Sequence, residues 1–334
     1  MFDKLNRKTI ITILKYGISI AIISWLYFKN RGEFDEFLQR EKNYGWLAIA
    51  GITITLAFFT SYVRWHHLAV AIRLPLAFLD AIKLGFIGSF FNVVAFGVVG
   101  GDSLRAYYAS RNSPDRIPEA ILSVFLDRFI GLCVMFGFAG TSWMLFGPEV
   151  SATSPATLKG VQFTCQFVGV CALLGFAGLF SFVLMPGVKN IGLFRWFTNL
   201  PKIGGLIEQG INASTLYSNN KIVLFKAIIF SLIANLLFAF TIYLVAIAIT
   251  DSPPPLADHF VMAPIAMVTN AAPLPGGVGG MEAALPAMYQ GFEAEGGFVV
   301  ALGFRMCILL VSFIGLFVWL AHRSKMPVPS ESSD

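Results

Sequence analysis

The ten residues PLPGGVGGME, from Pro273 to Glu282, interrupt an apolar stretch with two prolines and four glycines and end in a carboxylate. Proline lacks a backbone N–H donor and glycine has no side chain to pack, so an unbroken helix through this segment is disfavoured. Within a membrane, irregular backbone is tolerated only where protein or a watery cavity satisfies its hydrogen bonds. The segment therefore indicates a site rather than a linker. Its predicted tip consists of Pro273, Pro275, Gly276, Gly277, Gly279 and Gly280.

The composition predicts an all-α polytopic membrane protein. The chain has 334 residues, of which 56% are hydrophobic and 13% charged, and its mean hydropathy is +0.72; ordinary soluble domains contain about 25% charged residues. A helix that crosses a bilayer needs about 20 apolar residues. Two apolar segments, 81–112 and 258–290, are interrupted by glycine or proline. Six others predict spanning helices: 10–28, 46–63, 119–146, 161–185, 223–250 and 298–321.

The basic N-terminus and the cysteines exclude several classes of protein. Met1–Lys8 is basic, but no small-x-small cleavage site follows the first apolar run, so we expect an uncleaved signal anchor. The four cysteines fall within predicted spans without metal-binding spacing, and we expect no disulfide, metal or cofactor. The net charge of +5 is scattered over loops, which argues against nucleic acid as a partner.

Charge asymmetry between the loops predicts the orientation. With both termini cytoplasmic, 14 of the 24 lysines and arginines fall in cytoplasmic loops and 5 in outer loops, as the positive-inside rule requires. This count needs both interrupted segments to return to the side that they left, so we predict two re-entrant broken-helix hairpins.

The predicted order of segments suggests an inverted-topology repeat within a single transmembrane domain, 1–334. Residues 1–146 would form the first half and 161–322 the second, joined through a basic cytoplasmic interfacial connector at 187–222. Many secondary transporters consist of such halves and bind substrate between them near the midplane.

The first interrupted segment contains a candidate anion site. Asp102 and Ser103 are candidate N-caps of its returning helix, and Arg105 follows one turn later. Free N–H groups and a guanidinium suit a phosphate or a carboxylate; a plain cap, with the arginine extended toward the interface, remains the alternative. The predicted tip contains Gly97, Gly100 and Gly101.

Further charged residues lie on or beside predicted spans. Arg111, near the predicted cytoplasmic headgroups, could hold an anionic lipid or act as an ordinary interfacial anchor. Asp127 and Arg128 are adjacent and diverge by about 100° on a helix, so at least one must pair with another helix. Glu282 could bind a proton, a cation or an amino headgroup, or it could pair with Arg305. A structural ion pair and a substrate site remain open for each.

Three motifs carry a family resemblance: VVGGDSLRAYYASR at Val98–Arg111, SVFLDRFIGL at Ser123–Leu132 and APLPGGVGGMEAAL at Ala272–Leu285. In order and spacing they resemble the lysylphosphatidylglycerol synthase transmembrane-region family, the flippase-like membrane domain also found in the multiple peptide resistance factor. The resemblance implies inverted repeats, re-entrant helices and movement of lipids between leaflets. It implies a substrate site at Asp102, Arg105, Arg111, Asp127, Arg128, Glu282 and Arg305.

We therefore expect a flippase-like transporter of the bacterial cytoplasmic membrane for an anionic phospholipid or an isoprenoid-linked headgroup. Because the synthase activity of the family requires a separate soluble domain, we do not expect this chain to aminoacylate phosphatidylglycerol. The alternatives are a membrane-embedded enzyme that acts on lipid phosphates through Asp102, Asp127 or Glu282, and a scaffold subunit without transport. The sequence leaves the lipid, the coupling ion, the direction of movement and the oligomeric state open.

Overall fold

The computed structural model describes residues 24–25, 27–94, 98–111, 114–147, 155–184, 215–218, 220–269 and 279–322. This part of the chain is helical and contains no strand. The helices are α1 (Arg31–Gln39), α2 (Tyr44–Ala71), α3 (Phe78–Val94), α4 (Val98–Ser110), α5 (Ile117–Phe146), α6 (Pro155–Leu184), α7 (Thr215–Ser218), α8 (Lys221–Ile249), α9 (Leu256–Val268), α10 (Gly280–Gly291) and α11 (Gly297–His322), with a 3₁₀ turn at Pro114–Arg116.

Five helices in the described residues are long and apolar enough to cross a membrane: α2, α5, α6, α8 and α11. They confirm the all-α membrane fold and coincide with five of the six predicted spans. Of the remaining predicted span, 10–28, residues 10–23 and 26 lie outside the described part. Local signals fix the helix starts: the Asn43 side chain accepts a hydrogen bond from the Trp46 N–H, and Pro118 occupies the first turn of α5.

Helices α2 and α8 form an antiparallel pair at the centre of the fold. The Asn43 N–H donates to the Ala248 carbonyl at 3.0 Å, and the rings of Phe58 and Phe238 meet edge to face at 5.4 Å. Farther along, His67 stacks on Phe230. Residue numbers rise on α2 as they fall on α8, so the two helices run in opposite directions.

Each interrupted segment is folded as two short helices that pack back on each other. In the first hairpin, α3–α4, the Asn92 carboxamide oxygen accepts a hydrogen bond from the Gly101 N–H at 2.9 Å. In the second, α9–α10, the His259 ring lies 2.7 Å from the Tyr289 hydroxyl. Both contacts join residues on opposite sides of the break, so the two short helices of each segment lie against each other; that the segments are re-entrant in a membrane stays a prediction.

The spans that follow the hairpins pack across the molecule. Helix α11 lies against α3, where the Ser312 hydroxyl approaches the Ser89 carbonyl, and α5 lies against α9, where Phe138 contacts Phe260. Helix α6 packs on α5. Two clusters of buried apolar side chains fill the ends of the α2–α8 pair.

The short helix α7 anchors the end of the predicted connector. Its Tyr217 is fully buried, and the hydroxyl donates to the Leu68 carbonyl at 3.0 Å. That carbonyl lies in the last turn of α2, where main-chain acceptors lack helical partners. Residues 187–214 and 219 of the predicted connector, 187–222, lie outside the described residues.

Candidate functional site

The carboxylate of the first hairpin, Asp102, is held by an arginine from the next span. Arg128 on α5 donates from Nε and Nη2 to both carboxylate oxygens, each at 2.7 Å. The expectation that Asp102 caps a helix is wrong, because α4 begins at Val98 and Asp102 is its fifth residue. Glycines at positions 100 and 101 therefore lie within the first turn and a half of the helix rather than ahead of it.

Asp127, the neighbour of Arg128, faces a different set of partners. Arg64 on α2 donates from Nε to one of its oxygens at 2.7 Å, and Nη2 of Arg105 lies 3.6 Å from the other. Asp127 and Arg128 thus each pair across helices, which confirms the prediction made from their divergence around the helix. Together, the arginine–aspartate cluster comprises Arg64, Asp102, Arg105, Asp127 and Arg128.

Arg105 lies at the centre of the arginine–aspartate cluster and is only 4% exposed. Its side chain passes Gly88, where an added Cβ would lie 3.0 Å from the arginine Cδ, and its guanidinium covers the Trp65 ring at 4.1 Å. Nη1 donates to Asp102 at 3.4 Å. Nε and Nη2 have no hydrogen-bond partner among the residues that the structure describes. Buried guanidinium N–H groups without partners are costly.

Arg64 is a site residue that sequence reasoning missed. The predicted span ended at residue 63 and left Arg64 in a cytoplasmic loop, whereas α2 continues to Ala71. The side chain is buried against Gly131, where a Cβ would lie 3.1 Å from Nη1, and Nη1 donates to the Ser231 hydroxyl at 2.6 Å. The signal was present in the sequence, because no glycine or proline interrupts the stretch between Arg64 and Pro75.

The arginine–aspartate cluster carries one net positive charge, from three arginines and two aspartates among the described residues. Arg64 and Asp127 are buried, whereas the Arg128 side chain is 46% exposed, so the cluster opens toward its surroundings at Arg128. Charges in a low-dielectric interior interact strongly, and an excess charge there attracts an opposite one. The geometry suits an anion that enters past Arg128.

The second hairpin also holds an arginine–carboxylate pair. Arg305 on α11 donates from Nε and Nη2 to the Glu282 carboxylate at 2.7 and 3.2 Å, which confirms the predicted pairing. Glu282 also accepts a hydrogen bond from the Gly279 N–H at 2.8 Å and so caps α10. Gly279 has a φ of 96°, a left-handed conformation that favours glycine. One carboxylate thus fixes both the start of the helix and the contact with the next span.

The structure does not bring all predicted site residues together. Arg111 is exposed at the end of α4 and lies outside the arginine–aspartate cluster. Gly280 starts α10 and packs against the Thr269 carbonyl. Binding of substrate between the two halves stays a prediction, because five predicted tip residues lie outside the described part: Gly97, Pro273, Pro275, Gly276 and Gly277.

Within the described ranges, no three histidine, cysteine, aspartate or glutamate residues come together in an arrangement that could hold a metal ion. Both aspartates of the arginine–aspartate cluster face guanidinium groups instead.

The chain matches a known protein family. A family model described as the lysylphosphatidylglycerol synthase TM region matches residues 12–315, which span both hairpins and all five long helices except the end of α11. Searches of curated proteins and of solved structures each found no match.

Proposed function

The chain belongs to the lysylphosphatidylglycerol synthase transmembrane-region family, and we propose that it moves a phospholipid or a lipid-linked headgroup between the leaflets of the bacterial cytoplasmic membrane. The protein is a multi-pass membrane protein, and its family indicates a lipid-related function. The proposal adds the transport step, the anionic headgroup and the cytoplasmic position of both termini.

The arginine–aspartate cluster is the observation that carries the proposal. Ionisable side chains between membrane-spanning helices are expensive and commonly mark the route of a substrate or an ion. Here Arg64, Arg105 and Asp127 are buried among α2, α4 and α5, whereas the Arg128 side chain is partly exposed. A lipid headgroup could approach Arg128, displace its contact with Asp102 and reach Arg105.

The arrangement of the helices supports two inverted halves. Helices α2, α3–α4 and α5 form one series of span, hairpin and span, and α8, α9–α10 and α11 form a second. Their first members, α2 and α8, run antiparallel, and the last member of each series packs on the hairpin of the other. Reciprocal contacts of this kind are expected of halves related by a two-fold axis in the membrane plane, the architecture of many alternating-access transporters.

Pairing of the carboxylates favours transport over acid–base chemistry. A general acid or base needs a carboxyl group that can exchange its proton with the substrate. Asp102, Asp127 and Glu282 each accept hydrogen bonds from an arginine, so their carboxylate oxygens are already occupied by protein donors. We therefore place the lipid phosphate enzyme second.

A leaflet-exposure assay tests transport. Purified protein in liposomes that contain a headgroup-labelled phospholipid should expose the inner-leaflet label to a membrane-impermeant quencher faster than protein-free liposomes do. Arg105→Ala and Glu282→Gln should slow this exposure at least about tenfold, because each removes a charge-assisted contact.

Lys159→Gln is the matched control, because Lys159 is an exposed basic residue on the peripheral helix α6. It should transport at the wild-type rate. Equal rates in all three variants, with correctly folded protein, would remove the predicted site from the mechanism, and the absence of any exposure above protein-free liposomes would reject transport itself.

A further inference from the structure

Arg105 differs from the other two arginines that face the hairpin carboxylates. The Nε and Nη2 atoms of an arginine form a planar fork that fits two oxygens of one oxyanion. In Arg128 this fork holds Asp102, and in Arg305 it holds Glu282. In Arg105 the same two atoms have no hydrogen-bond partner in the described part of the chain, since Nη2 lies 3.6 Å from an Asp127 oxygen, beyond hydrogen-bonding distance, and the residue is buried.

We infer that the open fork of Arg105 binds a phosphodiester group that carries a single negative charge. This inference rests on the proposed function and deepens it, since it names the class of headgroup. It assigns the contact with the phosphate to Arg105 and leaves Arg128 and Asp102 as the entrance.

Surrounding groups hold the fork of Arg105 ready before any ligand arrives. Gly88 leaves room for the aliphatic part of the side chain, Trp65 supports the guanidinium plane, and Asp102 accepts from Nη1 on the opposite edge. The Trp65 ring is itself fixed, because its Nε1 donates to the Ser123 hydroxyl at 3.2 Å. A preorganised donor pair loses little conformational entropy on binding.

The charge of the arginine–aspartate cluster selects the charge of the ligand. Three arginines and two aspartates among the described residues leave one positive charge, which a phosphodiester neutralises. A phosphomonoester carries a charge of about −1.5 to −2 near neutral pH. It would leave a negative excess in a buried site, which is unfavourable. The site should therefore prefer diesters to monoesters.

Binding to the full chain in detergent tests the inference at pH 8.5. The probes are dihexanoyl phosphatidylglycerol, dihexanoyl phosphatidic acid, glycerophosphoglycerol, inorganic phosphate and octanoate. Dihexanoyl phosphatidylglycerol should bind at least about tenfold more tightly than dihexanoyl phosphatidic acid and octanoate. If glycerophosphoglycerol binds as tightly as the lipid, the diester alone is recognised and the inference stands. Tighter binding of inorganic phosphate, phosphatidic acid or octanoate would overturn it.

Variants separate charge from fork geometry. Arg105→Gln should weaken binding of dihexanoyl phosphatidylglycerol at least about tenfold, and Arg105→Lys, which keeps the charge without the fork, should fall between it and wild type. Lys159→Gln should bind as wild type does. Unchanged affinity in both Arg105 variants would overturn the inference. If Arg105→Gln does not fold, the ratio of the wild-type affinities for phosphatidylglycerol and phosphatidic acid decides the question.

Asp102→Asn gives the sharpest test, because it raises the charge of the arginine–aspartate cluster by one while keeping an oxygen acceptor. The preference should move toward phosphatidic acid by about tenfold or more relative to phosphatidylglycerol; no movement would contradict selection by charge. The outcome is independent of transport. Selective binding of the diester without leaflet exchange would uphold this inference and reject the proposed function. Leaflet exchange without a preference for the diester would uphold the proposed function and overturn this inference.

Discussion

The two helical hairpins carry a similar sequence at the start of their second helices, yet they use it differently. The first hairpin has Val99-Gly100-Gly101-Asp102 at the start of α4, and the second has Val278-Gly279-Gly280-Met281-Glu282 around the start of α10. Each carboxylate meets the Nε and Nη2 atoms of an arginine from the following span. In the second hairpin the carboxylate also caps its helix, whereas in the first it lies farther along the helix and contacts a second arginine.

The comparison shows how position within a helix changes the role of a carboxylate. Glu282 is the third residue of α10, close enough to reach the Gly279 N–H, and it pairs with Arg305. Asp102 is the fifth residue of α4 and joins a larger group with an excess positive charge. We therefore propose a structural role for the carboxylate of the second hairpin and an anion-binding role for the cluster around the first.

The largest expected difference between the hairpins is in stability. Asp127→Ala removes the carboxylate that faces both Arg64 and Arg105, and it should destabilise the protein by about 3–5 kcal/mol, since uncompensated buried charges are costly. Glu282→Ala removes a carboxylate that faces Arg305 alone among the arginines that the structure describes, and it should destabilise the protein less than Asp127→Ala does. Thermal unfolding in detergent, followed by a thiol-reactive dye that labels the buried free cysteines Cys133, Cys165 and Cys307, measures both.

Asp80→Ala provides the control for that comparison, because Asp80 pairs with Lys83 on the exposed surface of α3 and should contribute no more than about 1 kcal/mol. If Glu282→Ala lowered the Tm as much as Asp127→Ala does, the two carboxylates would have equal structural roles and the distinction between the hairpins would fail.

A smaller difference is expected at the glycines. In Gly101→Ala the new Cβ would lie 2.0 Å from the Gly88 carbonyl oxygen, so the hairpin helices must separate, at a cost of about 1–3 kcal/mol. Gly279→Ala forces a side chain into the left-handed region and should cost about 1–2 kcal/mol. The first change should also weaken anion binding, since Gly88 packs against Arg105, whereas the second should not. Measuring both the Tm and the affinity for dihexanoyl phosphatidylglycerol distinguishes the two variants. Equal loss of affinity in Gly101→Ala and Gly279→Ala would contradict the placement of the anion site at the first hairpin.

The smallest expected effect comes from replacing each arginine with lysine. Arg305→Lys loses one of two hydrogen bonds to Glu282 and should cost about 1 kcal/mol. Arg105→Lys should cost less than this, because Nε and Nη2 of Arg105 make no hydrogen bond among the described residues and Nη2 only faces Asp127 at 3.6 Å. Paired Tm measurements check the order, and a greater loss in Arg105→Lys would mean that its fork already has a structural role.

Apolar runs and their interruptions were sufficient to predict the helices. Continuous runs gave the long helices α5, α8 and α11 within a few residues, and glycine or proline marked both hairpins. The pairing of Glu282 with Arg305 was also predicted, because each is an ionisable residue in an apolar helix and needs a partner nearby. These features depend on local composition and on the cost of burying a charge.

Features set by tertiary packing were not predicted. The predicted span ended before Arg64 because a charged residue usually marks a helix end in a membrane protein, whereas Asp127 and Ser231 on two other helices compensate it here. Asp102 was predicted to be a cap because two glycines precede it. The structure extends α4 through those glycines, where contact with Asn92 of the facing helix stabilises them. No pattern in a single sequence reveals such partners.

The buried hydroxyl of Tyr217 ties the short helix α7 to the end of α2. Tyr217 lies between α6 and α8, and its hydrogen bond ends on Leu68, one helical turn beyond Arg64. The short helix α7 is thus held against the helix that carries Arg64 and Trp65. Any displacement of α7 along α2 at this end must therefore break that hydrogen bond.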